Sequence, residues 1–552
     1  MTSQPGEPGA RVPAIESALE LSGLEITELH WERIQLVLRI ERTPGGNADL
    51  HAGVLHLRLV GGDTPPLPSR PGGVGSVRFN VFVGHDQMPL DPGRWEVVLR
   101  RAGERNEWSA VPAAGQLIIP ESVREFVSGG STYRVSVGPV DPDRALAIDI
   151  STWVRTPLRL QGWSLRPLVS WLRGVRRRAW LRLFNLLISV LYRLPKRRPM
   201  IVFTSDSRVS LGGNLKLVHD RLVERGLDRT HRIAMILKPS IRARRTARDR
   251  IRLVWLFARA RIIVLEDYQP AIYNLPRRRE QQIIQLWHAW GAFKTVGYSR
   301  IGKPGGPSPY SRVHKNYTYA TASSTHEVPF YAEAFGLPEE RVVPTGAPSM
   351  DDFLDQSLQA TRRQRAYEAV PAARDRTVIL LAPTFRGGGA RRAHYPVDLI
   401  DIDAAYALCE QRDATLLIRM HPFVRDRVEI PPEYRDRLVD ASDLPVETND
   451  LLLITDLLVT DYSSLVFEYS TLGRPMLFFA YDLTEYVATR DFYEPYESFV
   501  PGRIVRTFDE LVDAIGREDH QVEKVAPFAA RHMPAGEGSA TDRIIDELIL
   551  PS

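Results

Sequence analysis

The stretch Leu457-Leu458-Val459-Thr460-Asp461-Tyr462-Ser463-Ser464-Leu465-Val466-Phe467-Glu468 passes from a short apolar run through a polar turn into an apolar helical pattern. An unbroken apolar run of this length predicts a strand buried on both faces, as in parallel sheets covered by helices. Asp and Ser at the turn predict a helix start. The same grammar recurs on both sides. Upstream, Met200-Ile201-Val202-Phe203 reads as a strand and Leu215 to Glu224 as a helix. Residues 232–237 read as a strand, Ile241 to Arg259 as a basic helix, and residues 262–265 and 283–286 as further strands. A second series begins near Arg376, with strands at 378–381, 416–419, 457–460 and 476–479. Two successive series predict an α/β pair of Rossmann-like domains, residues 199–370 and 371–552, with ligands beyond the carboxyl ends of the strands.

Outside that pair the texture changes twice. Residues 18–150 carry short alternating runs such as Gly53-Val54-Leu55-His56-Leu57-Arg58-Leu59 and Val77-Arg78-Phe79-Asn80-Val81-Phe82-Val83, punctuated by Gly, Pro and Asp. They predict an N-terminal all-β, sandwich-like module, and no catalytic constellation falls in it. Residues 1–17 are polar and rich in Gly and Pro, with no apolar core of a signal peptide, and are expected to be disordered. Residues 151–198 interleave Trp153, Trp163, Trp171 and Trp180 with Arg173, Arg176, Arg177, Arg178 and Arg182, and end on Lys196-Arg197-Arg198. Their apolar part, Leu181 to Tyr192, is too short to span a bilayer, while Trp and Arg suit the headgroup layer. This segment is read as an anionic-membrane surface contact, which places the chain peripherally on the cytoplasmic face of a membrane. A linker helix packed on the next domain is the plainer alternative. No nucleic-acid module accompanies the basic residues, so no nucleic-acid partner is expected.

The 552 residues are 43% hydrophobic with a net charge of +5, an ordinary globular composition. One cysteine, Cys409, excludes an intramolecular disulfide or a cysteine-rich metal site. No GxxxxGKS/T loop, HExxH pair or GxSxG elbow occurs, which argues against P-loop, zincin and α/β-hydrolase chemistry.

Polar motifs follow five of the predicted strands. They are Gln285-Leu286-Trp287-His288-Ala289-Trp290-Gly291-Ala292-Phe293-Lys294, then Pro344-Thr345-Gly346-Ala347-Pro348 ahead of Asp351 and Asp352. Pro383-Thr384-Phe385-Arg386-Gly387-Gly388-Gly389, Arg419-Met420-His421-Pro422 and Thr460-Asp461-Tyr462-Ser463-Ser464 complete the set. Singly, each has a bland explanation: a hydrogen-bonded histidine, a flexible glycine loop, an N-cap. Gathered on one face, two histidines, two arginines and a Ser-Ser helix start have the make-up of a phosphate site.

In this order, with Arg474-Pro475-Met476-Leu477-Phe478-Phe479 and Tyr481-Asp482-Leu483 after them, the motifs resemble the CDP-glycerol glycerophosphotransferase family, the teichoic acid primases and polymerases. The resemblance covers roughly Pro199 to the C-terminus. It implies a GT-B-like fold, with an acceptor domain at 199–370 and a donor domain at 371–552. It also implies transfer of glycerol phosphate, or a related polyol phosphate, from CDP-glycerol to a hydroxyl of a lipid-linked or polymer acceptor. His288 is implied as general base and His421, with Arg419, as the group facing the diphosphate. Trp287, Ala289, Trp290 and Gly291 would border the bond being broken. Thr384, Phe385, Arg386, Met420 and Asp461 would line the donor site, and Ser463, Ser464 and Glu468 would hold phosphate and polyol. No cofactor and no metal is implied. Ser349 stands where the family usually has Arg, and Glu468 where it often has Asp, which points to a different polyol such as ribitol. A GT-B sugar-nucleotide glycosyltransferase and a non-catalytic membrane-surface scaffold remain as alternatives at this level.

Overall fold

The structure, a computed structural model, describes residues 22–43, 53–84, 87–101, 108–128, 131–138, 144–154, 166–194, 198–387, 391–533 and 539–550. The stretch expected to be disordered, 1–17, lies outside them, as do Trp163, Lys196, Arg197, Gly388 and Gly389. The chain forms two compact units, Met1–Arg159 with Gly306–Ser311, and Leu160–Gly305 with Arg312–Ser552.

The described residues before Arg159 in the first unit form strands and no α-helix. β1 (Leu24–Glu32), β2 (Gln35–Arg42), β3 (Gly53–Leu59), β4 (Leu67–Pro68), β5 (Arg70–Gly73) and β6 (Ser76–Asn80) are followed by β7 (Gly93–Arg101), β8 (Trp108–Ala110) and β9 (Ala113–Ile118). β10 (Val123–Ser128), β11 (Ser131–Val137) and β12 (Ala147–Val154) complete the set. One sheet runs β5-β6-β2-β1-β9 and the other β10-β11-β12-β7-β3-β4, with β8 on β7. Side chains of the two sheets meet where Trp31 and Phe82 pack edge-on against Phe126, at 5.5 and 4.7 Å between ring centroids. The buried Tyr133 hydroxyl is satisfied by donating to the Leu90 carbonyl at 3.1 Å.

The second unit opens with α1 (Arg166–Tyr192), which buries Phe184 and Ile188 in the core of the first Rossmann-like lobe. That lobe contains β13 (Met200–Ser205), α2 (Gly213–Glu224), β14 (Arg232–Leu237), α3 (Ala247–Arg259), β15 (Ile262–Leu265), β16 (Gln282–Gln285), β17 (Tyr319–Thr321) and β18 (Val342–Val343). Its strands are all parallel, in the order β14-β13-β15-β16-β17-β18. The second lobe has β19 (Thr377–Leu381), β20 (Ala414–Ile418), β21 (Leu438–Asp440), β22 (Leu457–Thr460), β23 (Met476–Phe479) and β24 (Arg503–Val505). These are again all parallel, ordered β21-β20-β19-β22-β23-β24. β13, β15, β20, β22 and β23 are buried at every position, as unbroken apolar runs require. The paired-Rossmann expectation is met, and all five polar motifs fall after the carboxyl ends of β16, β18, β19, β20 and β22. In the second lobe the strand order reverses between β19 and β22, the place where such sheets open a crevice for ligands.

The chain does not finish in the second lobe. The terminal helical segment, Ala540–Ile544 continuing through Ile545–Ile549, buries Ile544, Ile545, Leu548 and Ile549 against Ile201, Phe203 and Leu215 of the first lobe. Asp351, quoted above beside a glycine motif, holds its start by accepting from the Ala540 and Thr541 amides at 2.7 and 2.8 Å and from the Thr541 hydroxyl at 2.6 Å. Replacing Asp351 by Ala removes what amounts to an N-cap supplied from another element, expected to cost about 1–2 kcal/mol. Hydrogen exchange should speed up selectively across residues 540–549, and unchanged exchange there would show that the clamp is not what holds the segment.

Candidate active site

The first-lobe side of the site is set by Gln285, the last and fully buried residue of β16. Its Oε1 accepts from the Trp287 amide at 3.0 Å, and its Nε2 donates to the Asp267 carbonyl at 3.2 Å and to the Tyr317 hydroxyl at 3.0 Å. Trp287 then adopts a left-handed conformation, φ +53°, rare for a bulky side chain and held here because its ring is buried and its carbonyl accepts from Asn214 Nδ2 at 2.8 Å. The turn presents the next residue, His288, to solvent with its side chain 51% exposed. Its ring lies 4.4 Å from that of Trp287. His288 Nδ1 faces two acceptors, the Glu266 carbonyl at 3.4 Å and Asp267 Oδ1 at 3.5 Å. Acceptors on Nδ1 assign the proton of the neutral ring to that nitrogen and leave the Nε2 lone pair outward, the arrangement of a general base backed by a carboxylate. Asp267 is itself fixed by the hydroxyls of Ser205, at 3.3 Å, and Ser207. Beside it, Glu266 is buried, pairs with Arg208 at 2.6 Å and accepts from the Leu215 amide at 3.1 Å. Burial pushes its carboxyl up to about 7 against the opposing pull of Arg208.

Beyond the histidine, Trp290 Nε1 donates to Ser349 Oγ at 2.8 Å, and the Ser349 amide donates to Asn214 Oδ1 at 3.0 Å. Ser349, in place of the family's arginine, therefore positions Trp290. Ala289 packs against the first-lobe core. Gly291 lies against the Phe467 ring so closely that a Cβ would come within 2.1 Å of it. Only glycine allows the two lobes that approach.

In the second lobe one cation organises the strand ends. Arg386, after β19, grips Asp482 through Nε at 2.6 Å and Nη2 at 2.8 Å, and reaches Asp461 Oδ2 through Nη1 at 2.8 Å. Its guanidinium lies within 5.0–5.8 Å of the rings of Tyr395, Tyr462, Tyr481 and Tyr486. Asp461 Oδ1 accepts from the Thr384 amide at 2.7 Å and the Tyr462 amide at 2.5 Å. Arg386 and Asp461, read from the sequence as donor contacts, thus spend their bonds on one another and on Asp482. Arg419 is anchored likewise: its guanidinium donates to the carbonyls of Ala441, Leu444 (3.3 Å) and Val446 (2.8 Å), holding the loop after β21. Met420 is buried in the core.

His421 remains half-buried at the mouth, its ring 4.6 Å from Phe385 and 4.7 Å from Phe423. Its Nδ1 accepts from the Phe423 amide at 3.1 Å. That assigns the proton of the neutral ring to Nε2, the opposite of His288. Burial, with the nearby Lys294 charge, lowers its proton affinity, so the ring is a neutral N–H donor near pH 7. Thr384 is buried, its amide on Asp461 and its carbonyl on Arg386. Ser463 is partly buried, its hydroxyl accepting from the Leu465 amide at 3.3 Å, and Ser464 is exposed at the start of the helix Leu465–Ser470. On that helix Glu468 Oε2 is buried with no hydrogen-bond partner, and burial raises the carboxyl to about 8. A neutral carboxyl with one unpartnered oxygen, one helical turn beyond two serines, suits a hydroxyl-rich ligand.

Lys294, Tyr462 and Asp482 stand in the quoted motifs without a role assigned to them, and Asp267 stands in none. A carboxylate at the end of a neighbouring strand, Asp267 after β15, carries no local signature that pairs it with His288. Among the described residues, His326, Glu494 and His532 also offer metal-ligand atoms within 4.8 Å of one another, but Arg531 bonds both His326, at 3.0 Å, and Glu494 there, a poor setting for a cation.

Because Arg386 neutralises two carboxylates in a mostly buried setting, Arg386→Met should cost about 3–5 kcal/mol, the usual toll of orphaning a buried charge. Its melting temperature should fall well below that of His421→Ala, whose ring supports only a local turn. Equal melting temperatures would show that Arg386 is not the keystone of the lobe.

A family model described as CDP-Glycerol:Poly(glycerophosphate) glycerophosphotransferase matches residues 186–550. Teichoic acid ribitol-phosphate polymerase TarK of Staphylococcus aureus is 45% identical over 487 residues, 85% of this chain and 94% of TarK. Teichoic acid poly(ribitol-phosphate) polymerase of Bacillus spizizenii is 42% identical over 370 residues, 67% of this chain and 59% of that protein. A solved structure of the wall teichoic acid polymerase TagF superposes with a TM-score of 0.51 at 21% identity, covering 69% of this chain and 97% of TagF, which bears on the fold alone. The chain belongs to the CDP-glycerol:poly(glycerophosphate) glycerophosphotransferase family, and it is a polyol-phosphate transferase of teichoic-acid-type polymer synthesis.

Proposed function

We propose that the chain transfers ribitol phosphate from CDP-ribitol to a hydroxyl of a lipid-linked polyol phosphate or saccharide acceptor at a membrane surface. The observation that carries the transfer chemistry is the opposite kind of partner on the two Nδ1 atoms, acceptors at His288 and a backbone N–H at His421. His288 Nε2 takes the proton of the acceptor hydroxyl, and Asp267 steadies the imidazolium formed. The freed oxygen attacks the phosphorus bearing ribitol, the bond from that phosphorus to the bridging oxygen breaks, and CMP leaves. His421 Nε2–H donates to the developing charge on the leaving phosphate. Ser463 and Ser464 meet the transferred phosphate, and protonated Glu468 binds polyol hydroxyls. The first lobe takes the acceptor and the second the donor. Thr384 and Phe385 line the donor side, and Trp287 to Gly291 border the reacting bond. Charge is compensated by side chains without a metal: Asp461, the acid nearest the serines in sequence, is held by Arg386.

Ribitol is favoured over glycerol by the relatives. Those named for ribitol phosphate are 35–45% identical, and those named for glycerol phosphate 23–30%. The N-terminal strands lie outside residues 186–550, which the family model matches, and form a sandwich-like module.

The membrane part rests on α1. Phe184 and Ile188 face the lobe, whereas Trp180, Leu183, Leu187, Val190 and Leu194 recur every three or four residues and stay exposed, beside exposed Arg176, Arg182 and Arg193. The side chains of Arg173, Arg177 and Arg178 lie outside the described residues. Among the described residues no helix is long and apolar enough to cross a membrane, so the contact is interfacial. It supports a peripheral position, which we assign to the cytoplasmic face.

CMP release from CDP-ribitol with a lipid-linked acceptor tests the chemistry. His288→Ala and His421→Ala should each lose about 10²–10⁴ in rate with intact melting curves. Turnover should persist in EDTA, and loss in EDTA restored by Mg²⁺ would sink the metal-free mechanism. Faster turnover of CDP-glycerol, or binding of UDP-sugars in preference to cytidine nucleotides, would overturn the donor assignment.

Vesicle flotation tests the surface. Binding to anionic vesicles should weaken with salt and drop when Trp180, Leu183 and Leu187 are changed together to Ser. Undiminished binding by that variant would move the contact elsewhere.

A further inference from the structure

The two arginines that the motifs offer to a diphosphate are anchored within the protein, Arg386 on Asp461 and Asp482, Arg419 on three main-chain carbonyls. A nucleoside diphosphate held without a metal needs a cation at its phosphates, so the question is which one is uncommitted. Lys294 answers it. The residue lies on the segment that carries the first lobe onto the second. It forms a β-bridge with Phe492, flanked by bonds from the Tyr493 amide to the Phe293 carbonyl at 3.1 Å and from the Thr295 amide to the Asp491 carbonyl at 3.3 Å. Phe293, its neighbour, stacks on Phe492 at 4.8 Å and on Phe499 at 4.7 Å, so its backbone is rigidly placed.

The side chain runs onto the aromatic stack above the Arg386 network, with Nζ 5.4 Å from the centroid of Tyr486, which stacks on Tyr462 at 3.8 Å. Among the described residues no carboxylate lies within ion-pair distance of Nζ. The acid whose field it feels most, Asp461, is already taken by Arg386 and by the Thr384 and Tyr462 amides. Its charge also reaches His421, whose proton affinity it helps to depress. A largely desolvated ammonium with no anion of its own, beside the histidine that receives the leaving group, is a site awaiting an anion.

We propose that Lys294 Nζ binds the diphosphate of the CDP-alcohol donor and bonds the oxygens on which charge collects as CMP departs. This rests on the transfer reading above and deepens it by naming the missing cation. Because Lys294 belongs to the segment joining the lobes, donor binding and lobe docking share a residue. The ammonium is charged below its titration, lowered by burial to about 8 in the free protein, and a bound anion moves that titration upward. Affinity for a diphosphate should therefore be full at pH 7 and fall as the solution is made alkaline.

Calorimetry on the full chain decides it, with CDP and cytidine as probes. Lys294→Met should weaken CDP about 10- to 100-fold, the span of a charge-assisted hydrogen bond, and leave cytidine unchanged. The alkaline loss of CDP affinity seen in the natural chain should disappear in Lys294→Met and shift to higher pH in Lys294→Arg. CDP binding by Lys294→Met equal to that of the natural chain overturns the proposal. So does a parallel loss of CDP and cytidine with a lowered melting temperature, the mark of a lysine that only props Tyr486. Failure of the natural chain to bind CDP at all would overturn the transfer reading and this inference with it.

Discussion

One guanidinium ties together the strand ends of the second lobe. Arg386 follows β19, Asp461 follows β22 and Asp482 follows β23, three strands that lie side by side in the sheet. Strand ends carry free backbone groups and polar side chains, and without a tie they splay. Here a single cation satisfies both carboxylates and donates to the Thr384 carbonyl at 2.5 Å, while Asp461 collects the amides of Thr384 and Tyr462. Four tyrosine rings surround the guanidinium, so little water screens the pairs. The crevice between β19 and β22 is thereby a fixed wall, and the serines and His421 are placed upon it.

The chemistry depends on how the backbone treats two similar histidines. One follows a left-handed tryptophan and turns Nδ1 toward a carbonyl and a carboxylate; the other receives a backbone N–H on Nδ1. Identical side chains thus present opposite ring nitrogens, the difference on which the proposed base and donor roles rest. The acids divide in the same way. Asp267 remains half-open beside His288, whereas Glu266 and Glu468 are pushed upward by burial and approach neutrality near pH 7. A neutral carboxyl exchanges hydrogen bonds with hydroxyls and does not repel phosphate.

The lobes are joined by aromatic contact and by chain crossings. Phe293 stacks into Phe492 and Phe499, Gly291 admits Phe467, and the C-terminal segment returns to the first sheet under the clamp of Asp351. A buried pair, His532 Nδ1 with Glu327 at 3.0 Å, adds a polar tie at the same junction. Burial raises the Glu327 carboxyl and lowers the histidine, so this tie is a hydrogen bond between groups driven toward neutrality.

The sequence alone determined the central strands, because a strand buried on both faces must be apolar throughout: residues 262–265, 457–460 and 476–479 appear as read, as does the partly exposed edge strand 232–237. It missed the short strands Tyr319–Thr321, Val342–Val343, Leu438–Asp440 and Arg503–Val505, where two or three residues leave no period to detect. It also put the five polar motifs after the carboxyl ends of the strands, since polar residues that follow apolar parallel strands gather at one end of the sheet. Which of those residues are free to meet a ligand was decided by tertiary structure. Arg386, Arg419 and Asp461 look like ligand contacts in a motif, and folding gives each of them partners within the protein. Lys294 and Asp267 look ordinary in sequence, and tertiary packing puts them beside the two histidines. A side chain's commitments are set by what folding brings within hydrogen-bond reach from distant positions, as Asp482 is brought to Arg386 across 96 residues.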